Sequence, residues 1–535
     1  MISPLLHEWV LSHAEHMPDA PAIASPRFRL SYGVLADRIR VLAGHLAQAG
    51  IGPGDRVLVG LPNSAAAVVA GLAIQMRGAT SVEVSRDWSP AVLSDVVARS
   101  QVRAAFVSGR DAPTWGQAFG RRRMASVWVV HPGPLPPELI QALGVSNAGL
   151  LFEDGRLDSD LGRPPEAPAP DIQLDSPALI LYTSGSTGTS LGVIQTFRNI
   201  DANSRSIVEY LELTSDDRAS LTLPLYYCYG RSVLQTHILV GGSVFLDNRM
   251  AYPRVVVEAI AAEGCTGFAG VPLTFEMIRR QVDVASIALP RLRYITQAGG
   301  AMSSDTIGWA RAAFSPAQLF VMYGQTEATA RLSYLPPERA VDKPDSIGLP
   351  IRGVELKVVD TDGCELPPGE MGELVARGDN VTLGYLDEPE ETARILRAGW
   401  LWTGDLASRD DDGFFYLKGR IREILKIGGH RVSPIEIEQA IARHPDVEDV
   451  AVTGLADDLL GEVPVAWVVT RSGTTTGPDE LRRFCLEELP PYQLPVSFVL
   501  VDSLPRNEAG KLLRAELATR HLGDELLRPG PSDQD

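Results

Sequence analysis

ALILYTSGSTGTSLGVIQT, residues 178–196, sets an apolar run of strand length against fourteen positions, 183–196, that hold three glycines and seven hydroxyl side chains. A strand ending in a Gly/Ser/Thr loop offers backbone N–H groups unobstructed by side chains, together with hydroxyl donors. That combination wraps phosphate oxygens. The stretch predicts a strand followed by a phosphate-cradling loop. Its spacing is not GxxxxGK[ST], which disfavours a P-loop kinase or ATPase. Taken alone such a loop is more often a flexible linker, so its surroundings decide.

Just upstream, LGRPPEAPAPD (161–171) reads as a Pro-rich surface linker. Farther out, apolar runs alternate with amphipathic stretches: DRVLVGLP (55–62) then SAAAVVAGLAIQMRG (64–78), GSVFLD (242–247) then RVVVEAIAAEG (254–264), LRYITQAGG (292–300) then SDTIGWARAAF (304–314). This alternation predicts an α/β fold of parallel-rich sheets covered by helices. After residue 352 the texture changes to short strands and turns, VELKVVDTDG, GELVARG and GWLWTGDLASRDDDGFFYLKG, which predict an antiparallel, β-barrel-like subdomain. Beyond residue 420 a small α+β unit is expected. Its helix SPIEIEQAIARH has Ser433 as N-cap, Pro434 at N1 and Glu436 completing a capping box. The domain boundaries expected are 1–420, 421–520 and a disordered tail over 521–535.

At 535 residues the chain exceeds one compact core, so two or more domains with a large buried interior are expected. A net charge of −18 argues against a sequence-independent grip on nucleic acid or an anionic membrane. The first residues lack the basic-then-apolar order of a signal peptide, and no stretch is long and apolar enough to span a bilayer, so a cytoplasmic location is expected. Four scattered cysteines give neither a disulfide framework nor a zinc site. Only five of the 49 basic residues are lysines, which makes each lysine worth separate inspection.

Four further motifs follow the hydroxyl-rich loop: YGQTE (323–327), GWLWTGD (399–405), LKGRIREILKIGGHRVSPIEIE (417–438) and LPRNEAGKLLR (504–514). With these, the sequence resembles the adenylate-forming superfamily of acyl- and aryl-CoA synthetases, stand-alone adenylation domains and firefly-type luciferases, over nearly its whole length. The resemblance implies a large N-terminal domain, a small mobile C-terminal domain and a two-step reaction. A carboxylate attacks the α-phosphate of Mg-ATP to give acyl-AMP and pyrophosphate; a thiol, of CoA or a carrier-protein phosphopantetheine, then takes the acyl group. Cofactors implied are ATP, Mg2+ and coenzyme A, and partners a small-molecule carboxylic acid and, in one variant, an acyl-carrier protein.

The resemblance assigns roles to positions. Thr183, Ser184, Gly185, Ser186, Thr187 and Gly188 would cradle phosphate. Glu327 would bind Mg2+, a hard cation that takes carboxylate oxygens, and Thr326 would donate to the α-phosphate. Tyr323 with Gly324 would pack on adenine, a core tyrosine being the alternative. Gly299, Gly300 and Ala301 would let adenine and the acyl group lie against backbone. Asp405 and Arg420 would hold the ribose, with a structural ion pair as the alternative. Lys511 would place a compact ammonium between two approaching anions and stabilise the charge at phosphorus. Arg422 matches the hinge; Lys426, Gly428 and Gly429 match the face presented to the pantetheine arm in the second step, an ordinary tight turn being the alternative for the glycine pair.

Two departures stand out. The family loop commonly carries Pro and Lys where this chain has Ser190 and Leu191, with Arg198 as a partial substitute, so weak ATP binding or a weakened nucleotide-binding homologue stays open. In LPLYYCYG (223–230) and FAGVPLTF (268–275), Tyr227, Cys228, Tyr229 and Val271 fall at the acyl pocket. The Asp that an amino-acid-activating domain carries at position 228 is replaced by Cys. An apolar or aromatic acid is therefore expected, with core packing as the alternative reading of the tyrosines.

Overall fold

The strand Pro177–Thr183 forms as its apolar run predicts, and Leu191–Thr196 returns antiparallel beside it, pairing Thr183 with Leu191. Within the hydroxyl-rich stretch, Leu191 opens a strand. A computed structural model describes all residues except 1–2, 121, 123, 146–147, 160–161, 165–167, 184–189, 428–429, 458–459, 472, 507–511, 515 and 518–535, and the side chains of Arg422 and Arg431.

Among the described residues the strands form three sheets. The first has eight strands. From Pro177–Thr183 through Thr80–Glu83, Arg56–Gly60, Ala104–Ser108 and Ser126–Val130 to Ala148–Leu151 it is parallel. The second has fourteen. Its strands Ser243–Leu246, Arg218–Leu221, Gly267–Gly270, Tyr294–Gln297 and Gln318–Tyr323 run parallel, each neighbour separated in sequence by a crossover. From Ser333–Leu335 onward the neighbours are antiparallel. The strands Val354–Val359, Met371–Gly378, Trp400–Arg409 and Phe415–Arg420, read from sequence as a separate appendage, extend this same sheet through Ser346–Pro350.

The helix Ala65–Met76 is apolar on every side, which suits a helix buried all round. Ser64 caps it, accepting from the Ala67 N–H. It sits in a core shared by Val57 and Val59 of the first sheet and Leu221, Val244 and Leu246 of the second, so one interior locks both sheets together. The third sheet, of five strands, belongs to the small unit after residue 420 and closes its own core with the helices Pro434–Ile441 and Pro478–Glu488.

The expected capping box at Pro434–Ile441 does not form. The Ser433 hydroxyl donates to the Lys418 carbonyl instead of accepting from the helix, and Glu436 accepts from Gln493 Nε2 at 3.4 Å. A contact between the small unit and the strand leading into it has displaced the local cap. Among the described residues two ion pairs also join the units, Arg280 with Glu448 at 2.5 Å and Arg471 with Asp305 at 3.9 Å.

Candidate active site

Four neighbouring parallel strands, ending at Leu221, Gly270, Gln297 and Tyr323, deliver the segments singled out from sequence: Leu223–Gly230, Val271, Gly299–Ala301 and Tyr323–Glu327. Open α/β sheets bind ligands at the carboxyl ends of their strands, where the loops diverge. Gly299 takes φ +89°, and a Cβ there would stand 2.5 Å from the Tyr227 hydroxyl and 3.2 Å from Val271 Cγ1. Three residues named separately in the sequence thus meet at one point, and only glycine fits there. Gly300 and Ala301 are exposed beside it. Gly324 is also closely packed, since a Cβ would fall 2.0 Å from the Ala330 carbonyl oxygen.

Asp405 and Arg420 are directly opposed on antiparallel strands, and Arg420 Nε meets Asp405 Oδ1 at 2.9 Å. The Tyr323 hydroxyl donates to Asp405 Oδ2 at 2.5 Å. The carboxylate is almost fully buried while the guanidinium is half-exposed. Asp405 holds the Arg420 guanidinium in its charged form beyond the usual range. Burial, and then Asp405, push the Tyr323 phenol well above its ordinary value. A carboxylate offers about four acceptor positions, so two remain for a ligand's hydroxyls.

Glu327 accepts from the Tyr385 hydroxyl through Oε1 at 2.8 Å, while its carbonyl takes the Thr382 N–H. Gln195 Nε2 donates to the Thr326 carbonyl at 3.1 Å, and Thr326 Oγ1 donates to Cys228 Sγ at 3.5 Å. Burial raises the Cys228 thiol, which keeps it protonated. Between Gly324 and Thr326 a buried donor, Gln325 Nε2, has no hydrogen-bond partner among the described residues. An orphaned donor two residues from Glu327 is the kind of vacancy that a nucleotide's ring acceptors or phosphates fill.

Several supporting residues were not read from the sequence. Asn63 donates to the Leu223 carbonyl and accepts from the Leu225 N–H, and Arg231, buried against Glu83 at 2.5 Å, donates to the Leu225 carbonyl. Together they fix the Leu223–Gly230 segment. No short motif marks such long-range pairs. Tyr229 is buried and bonded to Thr296 Oγ1 at 2.7 Å, so it is part of the core and at the same time lines an internal cavity. Arg198, read as a partial substitute for a loop lysine, pairs on the surface with Asp175 at 2.7 Å. Arg99 Nη2 donates to the Ser190 carbonyl at 2.5 Å and so holds the far edge of the hydroxyl-rich loop. Ser184, Gly185, Ser186, Thr187, Gly188, Gly428, Gly429, Lys511 and the Arg422 side chain lie outside the described residues, as does the 521–535 tail. Lys426 is exposed on the short strand Leu425–Ile427.

Residues 10–386 match the family described as AMP-binding enzyme, and residues 436–511 its C-terminal domain. The chain belongs to the AMP-binding enzymes. A feruloyl-CoA synthase of an Amycolatopsis species is 32% identical over 96% of this chain and 99% of its own. A fatty acid–[acyl-carrier-protein] ligase of Streptomyces coeruleorubidus is 30% identical over 96% of each chain. Among solved structures, an o-succinylbenzoate coenzyme A synthetase from Bacillus subtilis, in complex with ATP and a magnesium ion, superposes with a TM-score of 0.79 at 26% identity. The match covers 95% of this chain and 98% of that one. The adenylate-forming resemblance, the α/β fold and the AMP-forming acid ligase class expected from sequence all hold for this enzyme. No helix among the described residues is long and apolar enough to cross a membrane.

Proposed function

We propose that this AMP-binding enzyme joins a small carboxylic acid to AMP, releasing pyrophosphate, and then passes the acyl group to the thiol of coenzyme A. The observation that carries this reading is the buried Asp405, held by Tyr323 and Arg420 with two acceptor positions spare. Vicinal ribose hydroxyls match those positions. Adenine would lie along Gly299–Ala301 against Tyr323 and Gly324, with Gln325 Nε2 meeting one of its acceptors or a phosphate oxygen.

Thr183–Gly188 would donate to the phosphates and Thr326 to the α-phosphate. Glu327, steadied by Tyr385, keeps Oε2 for magnesium. When bound, the ion neutralises charge on the phosphate oxygens. Lys511 would offset the repulsion between the acid's carboxylate and the α-phosphate. Tyr227, Cys228, Tyr229 and Val271 would guide the acyl group. In our reading the large unit is 1–420 and the mobile unit 421–520, pivoting at Arg422 so that Lys426, Gly428 and Gly429 face the pantetheine arm. The buried free cysteines Cys228, Cys265 and Cys485 suit a reducing, cytoplasmic setting.

The acyl-carrier-protein ligase among the relatives supports a second acceptor, the phosphopantetheine arm of a carrier protein. Mass spectrometry of reactions supplied with ATP, magnesium, an acid panel and either coenzyme A or a holo carrier protein separates the two. Acyl-CoA is expected. Acylated carrier protein without acyl-CoA would move the assignment to carrier loading, and neither thioester from any acid would overturn both.

A further inference from the structure

Two arginines are buried among the described residues, Arg231 and Arg331, at 4% and 2% exposure. Arg231 is paired with the buried carboxylate of Glu83. Arg331 has no carboxylate partner among the described residues. Its Nε is buried without a hydrogen bond, its Nη1 donates to the Ala330 carbonyl at 3.1 Å, and its guanidinium meets the Tyr210 phenol and lies 4.7 Å from the centre of the Tyr229 ring. A ring face, a phenol and one carbonyl, all neutral, compensate a buried cation only in part. An unpaired buried charge is otherwise among the costliest features a core can hold.

The backbone that presents Arg331 is firmly built. Thr329 and Ala330 both take positive φ, +54° and +100°, a conformation that alanine rarely adopts. The turn is held from outside: Asn380 and Asn203 both donate to the Arg331 carbonyl, at 2.9 and 3.0 Å, and Thr329 Oγ1 donates to the Asn380 carbonyl. The side chain lines an internal cavity together with Tyr210, Tyr229, Ser232, Thr236 and Thr296. This cavity adjoins the activation site. Tyr229 is two residues from Tyr227, with ring centres 6.4 Å apart, and Thr296 lies on the strand leading to Gly299. Burial raises Tyr210, Tyr227, Cys228 and Tyr229, and the Arg331 charge opposes that rise at each. Of the residues that the sequence places at the acyl pocket, Tyr229 lines this cavity, whose largely apolar wall includes the Arg331 cation.

We propose that Arg331 is a specificity-determining residue that receives a second anionic group, a carboxylate or sulfonate, at the far end of the acid being activated. This rests on the acid-activating reading above and narrows it to acids charged at both ends. An anion supplies what the guanidinium lacks, an opposite charge and an acceptor for its unbonded Nε–H, and a planar fork suits carboxylate and sulfonate oxygens. A monoacid of the same length would leave the buried cation without an opposite charge.

The test uses the full-length enzyme and matched acids of equal length ending in methyl, amide, carboxylate or sulfonate. ATP–pyrophosphate exchange gives kcat/KM for each, and calorimetry gives acid binding without any need for turnover. We expect the doubly anionic acids to exceed the methyl and amide analogues by roughly tenfold to a hundredfold in both readouts. Arg331→Leu should erase that ratio and Arg331→Lys should restore part of it, with the ratio carried mainly by KM. Equal or better use of the methyl or amide acids, or an unchanged ratio in Arg331→Leu, would overturn the proposal while exchange itself upheld the acid-activating reading. Absence of exchange with every acid would sink that reading, and the binding ratio would still decide the role of Arg331. Should Arg331→Leu fail to fold by circular dichroism, the wild-type ratio and Arg331→Lys decide.

Discussion

Asp405 accepts from Tyr323 and Arg420 and keeps acceptor positions free, so replacing it removes a structural junction and, on the proposed reading, a ligand contact. Asp405→Ala should lower ATP–pyrophosphate exchange by about two to three orders of magnitude and destabilise the fold by roughly 1–3 kcal/mol, because the Tyr323 hydroxyl loses its buried acceptor. Exchange kinetics and denaturant melts read the two effects separately; wild-type exchange in the variant would remove Asp405 from the site. Gly299→Ala places a methyl 2.5 Å from the Tyr227 hydroxyl at φ +89°. It should cost about 1–2 kcal/mol of stability and raise the KM for the acid, and Tyr227→Phe in the same chain should recover part of the loss by removing the oxygen. No recovery in the double variant would contradict the contact. Glycine and hydroxyl residues of this kind were legible in the sequence because the motifs carry them. Arg331 was not, since nothing local shows that a turn held by Asn203 and Asn380, more than forty residues away on either side, buries it.

The helix Leu6–His16 packs His7 and His13 into the core, and burial lowers both imidazoles; His7 falls to about 4 from an ordinary 6.5. His237, inside Cys228–Val240, is lowered for the same reason. Above about pH 6.5 both folded and unfolded states carry neutral His7, and its full contribution is present. Between about 6.5 and 4 the unfolded chain takes up a proton that the folded chain refuses, so stability falls with falling pH, by roughly 3 kcal/mol for His7. Melting temperatures across that range should drop more steeply for the wild type than for His7→Leu, and parallel curves would contradict it. The helices Ala65–Met76, Pro253–Ala262 and Ser304–Ala313 were read from periodicity, because the alternation of apolar strand and amphipathic helix is a repeating local signal. The capping box at Ser433 was misread since a carbonyl from another strand competes for the hydroxyl. The antiparallel strands after residue 352 were read as such, but their joining to the large sheet is a pairing between distant segments that no local pattern states.

At the scale of the whole molecule, two sheets share one core, while the polar contacts of the small unit with the rest, among the described residues, include the Ser433 hydrogen bond and the ion pairs Arg280–Glu448 and Arg471–Asp305. Partly exposed pairs of this type contribute about 0–1 kcal/mol each, which suits the mobile unit proposed above. Lys511→Ala should cut exchange by several kcal/mol of barrier, in order of magnitude, while ATP binding measured by calorimetry stays near wild type; loss of binding and exchange together would assign that lysine to nucleotide affinity instead. The central claim is that this enzyme makes an acyl adenylate. Acid-dependent exchange of labelled pyrophosphate into ATP, with AMP as the nucleotide product, tests it most directly. Exchange that appears only with an acid present, followed by AMP once a thiol is added, is the predicted result, and ADP formation or no exchange with any acid would contradict it.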